Sequence, residues 1–154
     1  MPDLMSPRRK VLLASAAAGA ATLAAASAAR AAIDPRSPVH VVYHITQGNA
    51  QASRALANVR NHLAADPGAK IVVVGNGAGI DFLLNGAKDA SGAEYSGNVG
   101  DLAGRGVSFR ACENTLSNRR IPKDQVLLDA TTVPSGVVEA ATLQYREGYA
   151  YISP

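Results

Sequence analysis

Short apolar runs alternate with segments of helical periodicity from residue 40 to the end of the chain, and this alternation restricts the possible folds more than any other feature. Residues 71–74 form a continuous apolar run next to a glycine, which is typical of a strand covered on both faces. Before it, Ala52, Leu56, Val59 and Leu63 recur at helical spacing. The other predicted strands are residues 40–45, 107–111, 131–133 and 149–152, and the other predicted helices are 80–84, 95–105, 116–120 and 136–147. Strands that alternate with helices predict a three-layer α/β domain with a five-stranded parallel sheet.

For such a flavodoxin-like sheet we expect the strand order 2-1-3-4-5, in which the first and third strands are neighbours and ligands bind beyond the carboxyl ends of the strands. This order places His44 beside Cys112. The loops after the second and fourth strands, residues 75–79 and 134–135, are expected on the same rim.

Cys112 is the lone cysteine, and it lies where the third strand meets the next helix, with Asn114 as the expected helix cap. Unpaired amides at a helix start carry partial positive charge, which stabilises a thiolate and makes the cysteine a better nucleophile. The alternative is a small, buried, unreactive side chain, which is the commoner role of a free cysteine.

His44 is the candidate partner, because an imidazole within hydrogen-bond reach can orient or deprotonate a thiol. The alternative is a histidine at a strand end whose ring is satisfied by a nearby carbonyl. The other two histidines, His40 and His62, are not at metal-ligand spacing, so we expect no metal and no cofactor.

The segment Gly75-Asn76-Gly77-Ala78-Gly79 does not match a dinucleotide fingerprint, because Ile80 stands where the third glycine belongs and because the segment follows the second strand. Its amides could hold a small anion, or its glycines could simply allow a tight turn. We expect Asn76, Gly77, Asn114 and Ser135 to form a binding rim around Cys112 and His44.

Ser108, Arg110 and Cys112 share one face of the third strand, and this polar face predicts that a partner subunit, rather than a helix, packs there. Arg110 would lower the pKa of the cysteine, whereas Glu113 would raise it.

Residues 1–31 resemble a cleavable export signal: Arg8-Arg9-Lys10 precedes an uncharged, alanine-rich run, and Ala29-Arg30-Ala31 offers small residues for cleavage after Ala31. The paired arginines indicate the twin-arginine route, and an uncleaved anchor is the alternative. Residues 32–38 are predicted to be a tether and residues 39–154 the folded domain, located in the periplasm or otherwise exported and not inserted in the membrane after cleavage.

The chain has 15 Lys+Arg and 12 Asp+Glu, but four of the basic residues and one acidic residue lie in residues 1–31. The remaining 123 residues therefore carry 11 of each sign, and nothing in this balance favours a nucleic-acid partner.

Taken together, these segments resemble the DsrE/DsrF-like family of sulfur-relay proteins, which includes TusD-type subunits. The resemblance rests on residues 41–44, 58–63, 71–80, the strand that ends at Cys112, and residues 133–137, and so extends over nearly all of the mature chain. It implies a flavodoxin-like sheet, homo- or hetero-oligomers, and a cysteine at the end of the third strand that carries sulfane sulfur as a persulfide. Asn76 stands where many relatives are expected to have a histidine, and an export signal departs from the cytoplasmic members.

The sequence therefore predicts a sulfur carrier in which Cys112 takes sulfane sulfur from a donor and passes it to an acceptor protein or small thiol, with His44 and the helix amides stabilising the thiolate. Two alternatives stay open. One is a non-catalytic oligomeric binding module of the same fold, and the other is a redox sensor whose lone cysteine is oxidised or pairs between subunits.

Overall fold

A computed structural model describes residues 37–154. The predicted signal, residues 1–31, and the first part of the predicted tether lie outside the described residues. The last two tether residues, Ser37 and Pro38, are exposed, and the first strand begins at His40.

Strands and helices alternate along the described chain as the hydrophobic pattern predicts. The strands are β1 (His40–Ile45), β2 (Lys70–Gly75), β3 (Ser108–Cys112), β4 (Ala130–Val133) and β5 (Ala150–Ile152). The helices are α1 (Asn49–Ala65), α2 (Tyr95–Gly104), α3 (Glu113–Asn118) and α4 (Gly136–Arg146), with 3₁₀ helices at Gly77–Leu83 and Lys123–Gln125.

The five strands form one parallel sheet between helical layers, which confirms the predicted three-layer α/β fold. The strand order is β4-β3-β2-β1-β5. In this order β2 lies between β1 and β3, so the direct adjacency of the first and third strands that we expected needs correction. The end of β2, with Asn76 immediately after it, therefore separates His44 from Cys112.

The two faces of the sheet have very different cores. Against the first face pack α1, α2 and the 3₁₀ helix Gly77–Leu83, and this layer buries three aromatic side chains that meet edge to face: Phe82, Tyr95 and Phe109. Against the second face packs α4, and the apolar cluster there is small. It consists of Val42, Val72, Val74, Ala140 and Leu143, with Tyr149 partly buried against it.

Two local features fix the loops at the carboxyl edge of β1 and β2. The buried side chain of Gln51 accepts hydrogen bonds from the backbone amides of Thr46 and Gln47, both at 2.8 Å, and so holds the turn from β1 into α1. A β-carbon on Gly79 would lie 2.0 Å from the carbonyl oxygen of Ile45. Glycine is therefore required where the loop after β2 passes the end of β1.

Candidate functional site

The residues that sequence reasoning selected lie on the α4 face of the sheet, because side chains alternate between faces along a strand. His44 pairs in register with Val74, and Val74 pairs with Arg110. Asn76 and Cys112 each come two residues after this pair, and the β-carbons of both lie 3.0–3.2 Å from a β-carbon built on Gly136 of α4, which places them on the same side as His44.

Cys112 lies at the bottom of this site with only 4% of its surface exposed. Burial raises the pKa of its thiol, but hydrogen bonds to the sulfur outweigh this and lower the pKa below the ordinary value: they come from the Thr115 hydroxyl and from the amides of Gly136, Thr115 and Asn114. The donors belong to the first turns of two helices, α3 and α4. The helix starts therefore favour the thiolate, while the residue as a whole also packs in the large apolar core.

Thr115 is one of the residues near Cys112 that sequence reasoning missed. Its side chain is buried, and its Oγ1 accepts a hydrogen bond from the amide of Gly77 at 2.9 Å. Because that oxygen is already an acceptor, its own proton is free to be donated to Cys112. Its place in the sequence could have indicated this role, because a threonine three residues after the cysteine lies on the first turn of the helix that follows it.

Gly136 brings the start of α4 onto the cysteine. A β-carbon on this residue would lie 3.0 Å from the β-carbon of Asn76, 3.2 Å from that of Cys112 and 3.3 Å from Val74 Cγ1. Such contacts are tighter than side chains normally make. The absence of a side chain therefore lets the Gly136 amide approach the sulfur.

His44 is buried, and both of its ring nitrogens are engaged. Nδ1 lies 2.8 Å from the Tyr151 hydroxyl, and Nε2 lies 2.7 Å from Asn76 Oδ1. The ring is therefore satisfied by side chains, not by the backbone carbonyl that the alternative interpretation expected. Asn76 lies between the imidazole and Cys112, so the hypothesis that His44 deprotonates the thiol directly needs an intermediate group.

The charged residues near the cysteine are paired with one another. Arg110 forms an ion pair with Glu139 of α4, which corrects the expectation that a partner subunit instead of a helix packs on this face of β3. Glu113 accepts from Lys123 and from the Thr132 hydroxyl, both at 2.6 Å, and these contacts lower the pKa of its carboxyl group. Both side chains that were expected to act on the thiol are thus engaged with other partners.

The residues that were predicted to form a rim around Cys112 have different structural roles. The helix after the cysteine begins at Glu113 with Cys112 itself in the capping position, so Asn114 is not the cap. Asn114 is exposed, and its amide also donates to the Pro134 carbonyl at 3.2 Å.

Ser135 does cap α4, since its Oγ accepts from the amide of Val138 at 3.5 Å. Gly77 lies in a left-handed turn with φ of 58°, and its amide is occupied by Thr115.

Within residues 37–154, no three His, Cys, Asp or Glu side chains are grouped closely enough to hold a metal ion. Over the same range, no helix combines the length and the apolar character needed to cross a membrane.

Comparison with known proteins places this arrangement in a family. The model of the DsrE/DsrF-like family matches residues 12–154. The chain belongs to the DsrE/DsrF-like family. Among solved structures, this DsrE-like protein is similar to MTH1491 of Methanobacterium thermoautotrophicum, a protein of unknown function. The identity is 36% and the TM-score 0.67, over 75% of this chain and 99% of that one.

The E. coli ychN protein is a second structural neighbour of this DsrE-like protein. It has a TM-score of 0.57 and 14% identity, with 75% of this chain and 97% of that one covered, so it supports the fold alone. No curated protein matches the chain.

Proposed function

We propose that this DsrE-like protein is a sulfur carrier that holds sulfane sulfur as a persulfide on Cys112. The observation that carries the proposal is that the starts of two helices meet at one thiol: Cys112 is the capping residue of α3, and a β-carbon on Gly136 of α4 would lie 3.2 Å from its β-carbon. The pKa of the thiol is lowered there. A side chain that served only to fill space would have no need of this arrangement, because a neutral thiol is a weak acceptor. Family membership supports the same assignment, since it is the role that the resemblance to sulfur-relay proteins implies.

The proposed chemistry is a transfer of one sulfur atom without net oxidation. The Cys112 thiolate attacks the outer sulfur of thiosulfate, the new S–S bond forms, and the bond to the sulfonate breaks with release of sulfite. In the second step an acceptor thiolate attacks the outer sulfur of the persulfide, and Cys112 leaves as the thiolate. The same amides that stabilise the thiolate stabilise it as a leaving group.

The burial of Cys112 favours a second candidate, a non-catalytic binding module of the same fold. Only 4% of the residue is exposed, so a donor molecule cannot reach the sulfur without some movement of the surrounding loops. In this reading the hydrogen bonds to the sulfur stabilise the junction of α3 and α4 and have no chemical role.

Mass spectrometry of the intact protein after incubation with thiosulfate or polysulfide distinguishes the two candidates. The carrier gains the mass of one sulfur atom, the gain disappears after treatment with a reductant, and Cys112→Ser does not show it. A folded wild-type protein that stays unmodified under these conditions contradicts the carrier and leaves the binding module.

A matched control moves the lone thiol along the same strand. In the double variant Cys112→Ser, Ser108→Cys the cysteine lies on the same face of β3, half-buried but at the far end from the two helix starts. We expect this thiol to take up sulfur more slowly. Equal uptake at both positions would mean that the amides around residue 112 contribute nothing.

We further propose that the protein acts after export, as a homo-oligomer, with a separate donor and an acceptor protein or small thiol. The motivation is the signal-like segment at residues 1–31 and the family resemblance. Cell fractionation with detection of the cleaved amino terminus tests the export, and light scattering of the purified protein tests the subunit number. A full-length cytoplasmic monomer would contradict both.

A further inference from the structure

The dipeptide Asn-Gly occurs at two places in the chain, Asn76-Gly77 and Asn85-Gly86. This dipeptide is chemically labile, because the glycine amide nitrogen can attack the side-chain carbonyl carbon of the asparagine without hindrance from a β-carbon. In both places the glycine has a positive φ, 58° for Gly77 and 75° for Gly86. The two pairs therefore share their intrinsic chemistry and differ in their surroundings.

The first pair, Asn76-Gly77, is held at every group that would have to move. Asn76 is half-buried, and its Oδ1 lies 2.7 Å from His44 Nε2. The Gly77 amide, which would be the attacking group, donates to Thr115 Oγ1 at 2.9 Å. The backbone amide of Asn76 donates to the carbonyl of Ile45 at 3.1 Å. Ring closure here requires the nitrogen to leave Thr115 and the side chain to leave His44.

The second pair, Asn85-Gly86, forms the two central residues of a turn at the surface. The Ala87 amide closes this turn by donating to the Leu84 carbonyl at 3.1 Å, and a positive φ at the third residue is typical of a type II turn. Asn85 and Gly86 are both exposed. Within residues 37–154 the Gly86 amide has no hydrogen-bond acceptor. The attacking nitrogen of this pair is therefore free.

Asn85 also joins its turn to the 3₁₀ helix Lys123–Gln125. Its backbone amide donates to the Gln125 carbonyl at 2.8 Å, and its side-chain Nδ2 donates to the Asp124 carbonyl at 3.1 Å. Only the side-chain bond must open before the ring can close. Because that bond lies at the surface, water replaces it at little cost.

We propose that Asn85 is a site of spontaneous deamidation and that the contacts of Asn76 protect the same dipeptide beside Cys112. The Gly86 amide nitrogen loses its proton and attacks Cγ of Asn85, the new C–N bond forms, and ammonia leaves. Water then opens the cyclic imide to aspartate or isoaspartate. The reaction needs no oxidant or reductant, and the proposal does not depend on the sulfur-carrier function.

The product would weaken the contact that Asn85 makes. A carboxylate oxygen in place of Nδ2 faces the Asp124 carbonyl, so two acceptors meet where a donor and an acceptor did. Isoaspartate also lengthens the backbone of the turn by a methylene group. The helix affected contains Lys123, which pairs with Glu113 of α3 at 2.6 Å. Ageing of the protein would thus loosen this helix and leave the residues beside Cys112 chemically unchanged.

The test is peptide mapping by mass spectrometry after prolonged incubation of the folded protein at mildly alkaline pH, with digestion at acidic pH. We expect the peptide that contains Asn85 to gain the mass difference between an amide and a carboxyl group. Modification at Asn76 should be about tenfold to a hundredfold slower, because two further hydrogen bonds must open there. Equal rates at both positions, or a faster reaction at Asn76, would overturn the proposal.

Three controls separate the effect of the surroundings from the chemistry of the dipeptide. In the urea-unfolded chain both asparagines should react at similar rates, and an Asn85 that reacts there but not in the folded protein contradicts the proposal. Asn85→Gln should abolish modification at that position, since its side chain closes a larger ring. Thr115→Val frees the Gly77 amide and should accelerate the reaction at Asn76. An unchanged rate at Asn76 in this variant would show that Thr115 does not protect it.

Discussion

The two faces of the sheet differ in what their side chains do. The face under α1 and α2 carries the large apolar core, including the edge-to-face group of Phe82, Tyr95 and Phe109. The face under α4 has a small apolar cluster, and beside it lie His44, Asn76 and the β-carbon of Cys112, a residue that also belongs to the large core. The fold is thus stabilised mainly from one side, which leaves the other side free to hold polar groups close to the thiol.

The largest expected effect comes from removing an aromatic ring from the first face. Phe82→Ala should lower the free energy of unfolding by about 3–5 kcal/mol, because the ring is almost fully buried and packs against two other aromatic side chains. Chemical denaturation measures this. The pH profile of Cys112 alkylation in the folded protein should not move, and a shifted profile would show that the two faces are coupled.

A smaller effect is expected where α4 meets the cysteine. Gly136→Ala introduces a β-carbon about 3 Å from Asn76 and Cys112, so the start of the helix must move and the amide must withdraw from the sulfur. We expect a loss of about 1–3 kcal/mol in stability and a half-reaction point for alkylation at higher pH.

The control for this change is Gly97→Ala in α2, where a new β-carbon meets no atom within 4 Å. It should stabilise the helix by up to about 1 kcal/mol and leave the thiol unaffected. If Gly136→Ala behaves in the same way, the close approach of α4 has no influence on Cys112.

Thr115→Val tests the hydroxyl group that lies between the Gly77 amide and the Cys112 thiol. The substitution removes a donor to Cys112 and an acceptor from the Gly77 amide with little change in shape, so we expect a loss of about 1–2 kcal/mol and slower alkylation at neutral pH. Thr131→Val, at a threonine on the edge strand β4, is the matched control. Equal alkylation rates in both variants would remove Thr115 from the site.

The smallest effect is the dependence of stability on pH. Because the pKa of Cys112 is lower in the folded protein than in the unfolded chain, ionisation of this thiol adds to stability as pH rises from the folded value to the ordinary one. The contribution is fully present above the ordinary pKa and is lost as pH falls through the folded pKa. Denaturation curves of wild type and Cys112→Ser should therefore diverge with increasing pH, and parallel curves would contradict the lowered pKa.

The sequence was sufficient for most elements of the fold, because β1 and β2 are short apolar runs and the longer helices show apolar residues at helical spacing. The continuous run from Ile71 to Val74 and the capping serine at Ser135 were both identified correctly. These are local properties, which neighbouring residues determine.

Relations between distant segments could not be obtained in the same way. The order of the strands places β2, not β1, beside β3, and nothing in the composition of Asn76 indicated that it would lie between His44 and Cys112. Tyr151 was overlooked because its contact with His44 joins residues that are 107 positions apart. Arg110 was interpreted as facing a partner subunit because its ion pair with Glu139 depends on where α4 packs.

Ser135 holds the start of α4 through a hydrogen bond of 3.5 Å, at the long end of the range, and the next two residues of that helix, Val137 and Val138, are exposed. Helix ends with such weak anchoring fray readily. Brief opening of this first turn would uncover the sulfur and withdraw the Gly136 amide at the same moment. The rates of alkylation and sulfur uptake would then depend both on how often this turn opens and on the ionisation of the thiol. Hydrogen exchange at Gly136 and Val137 would measure the opening separately.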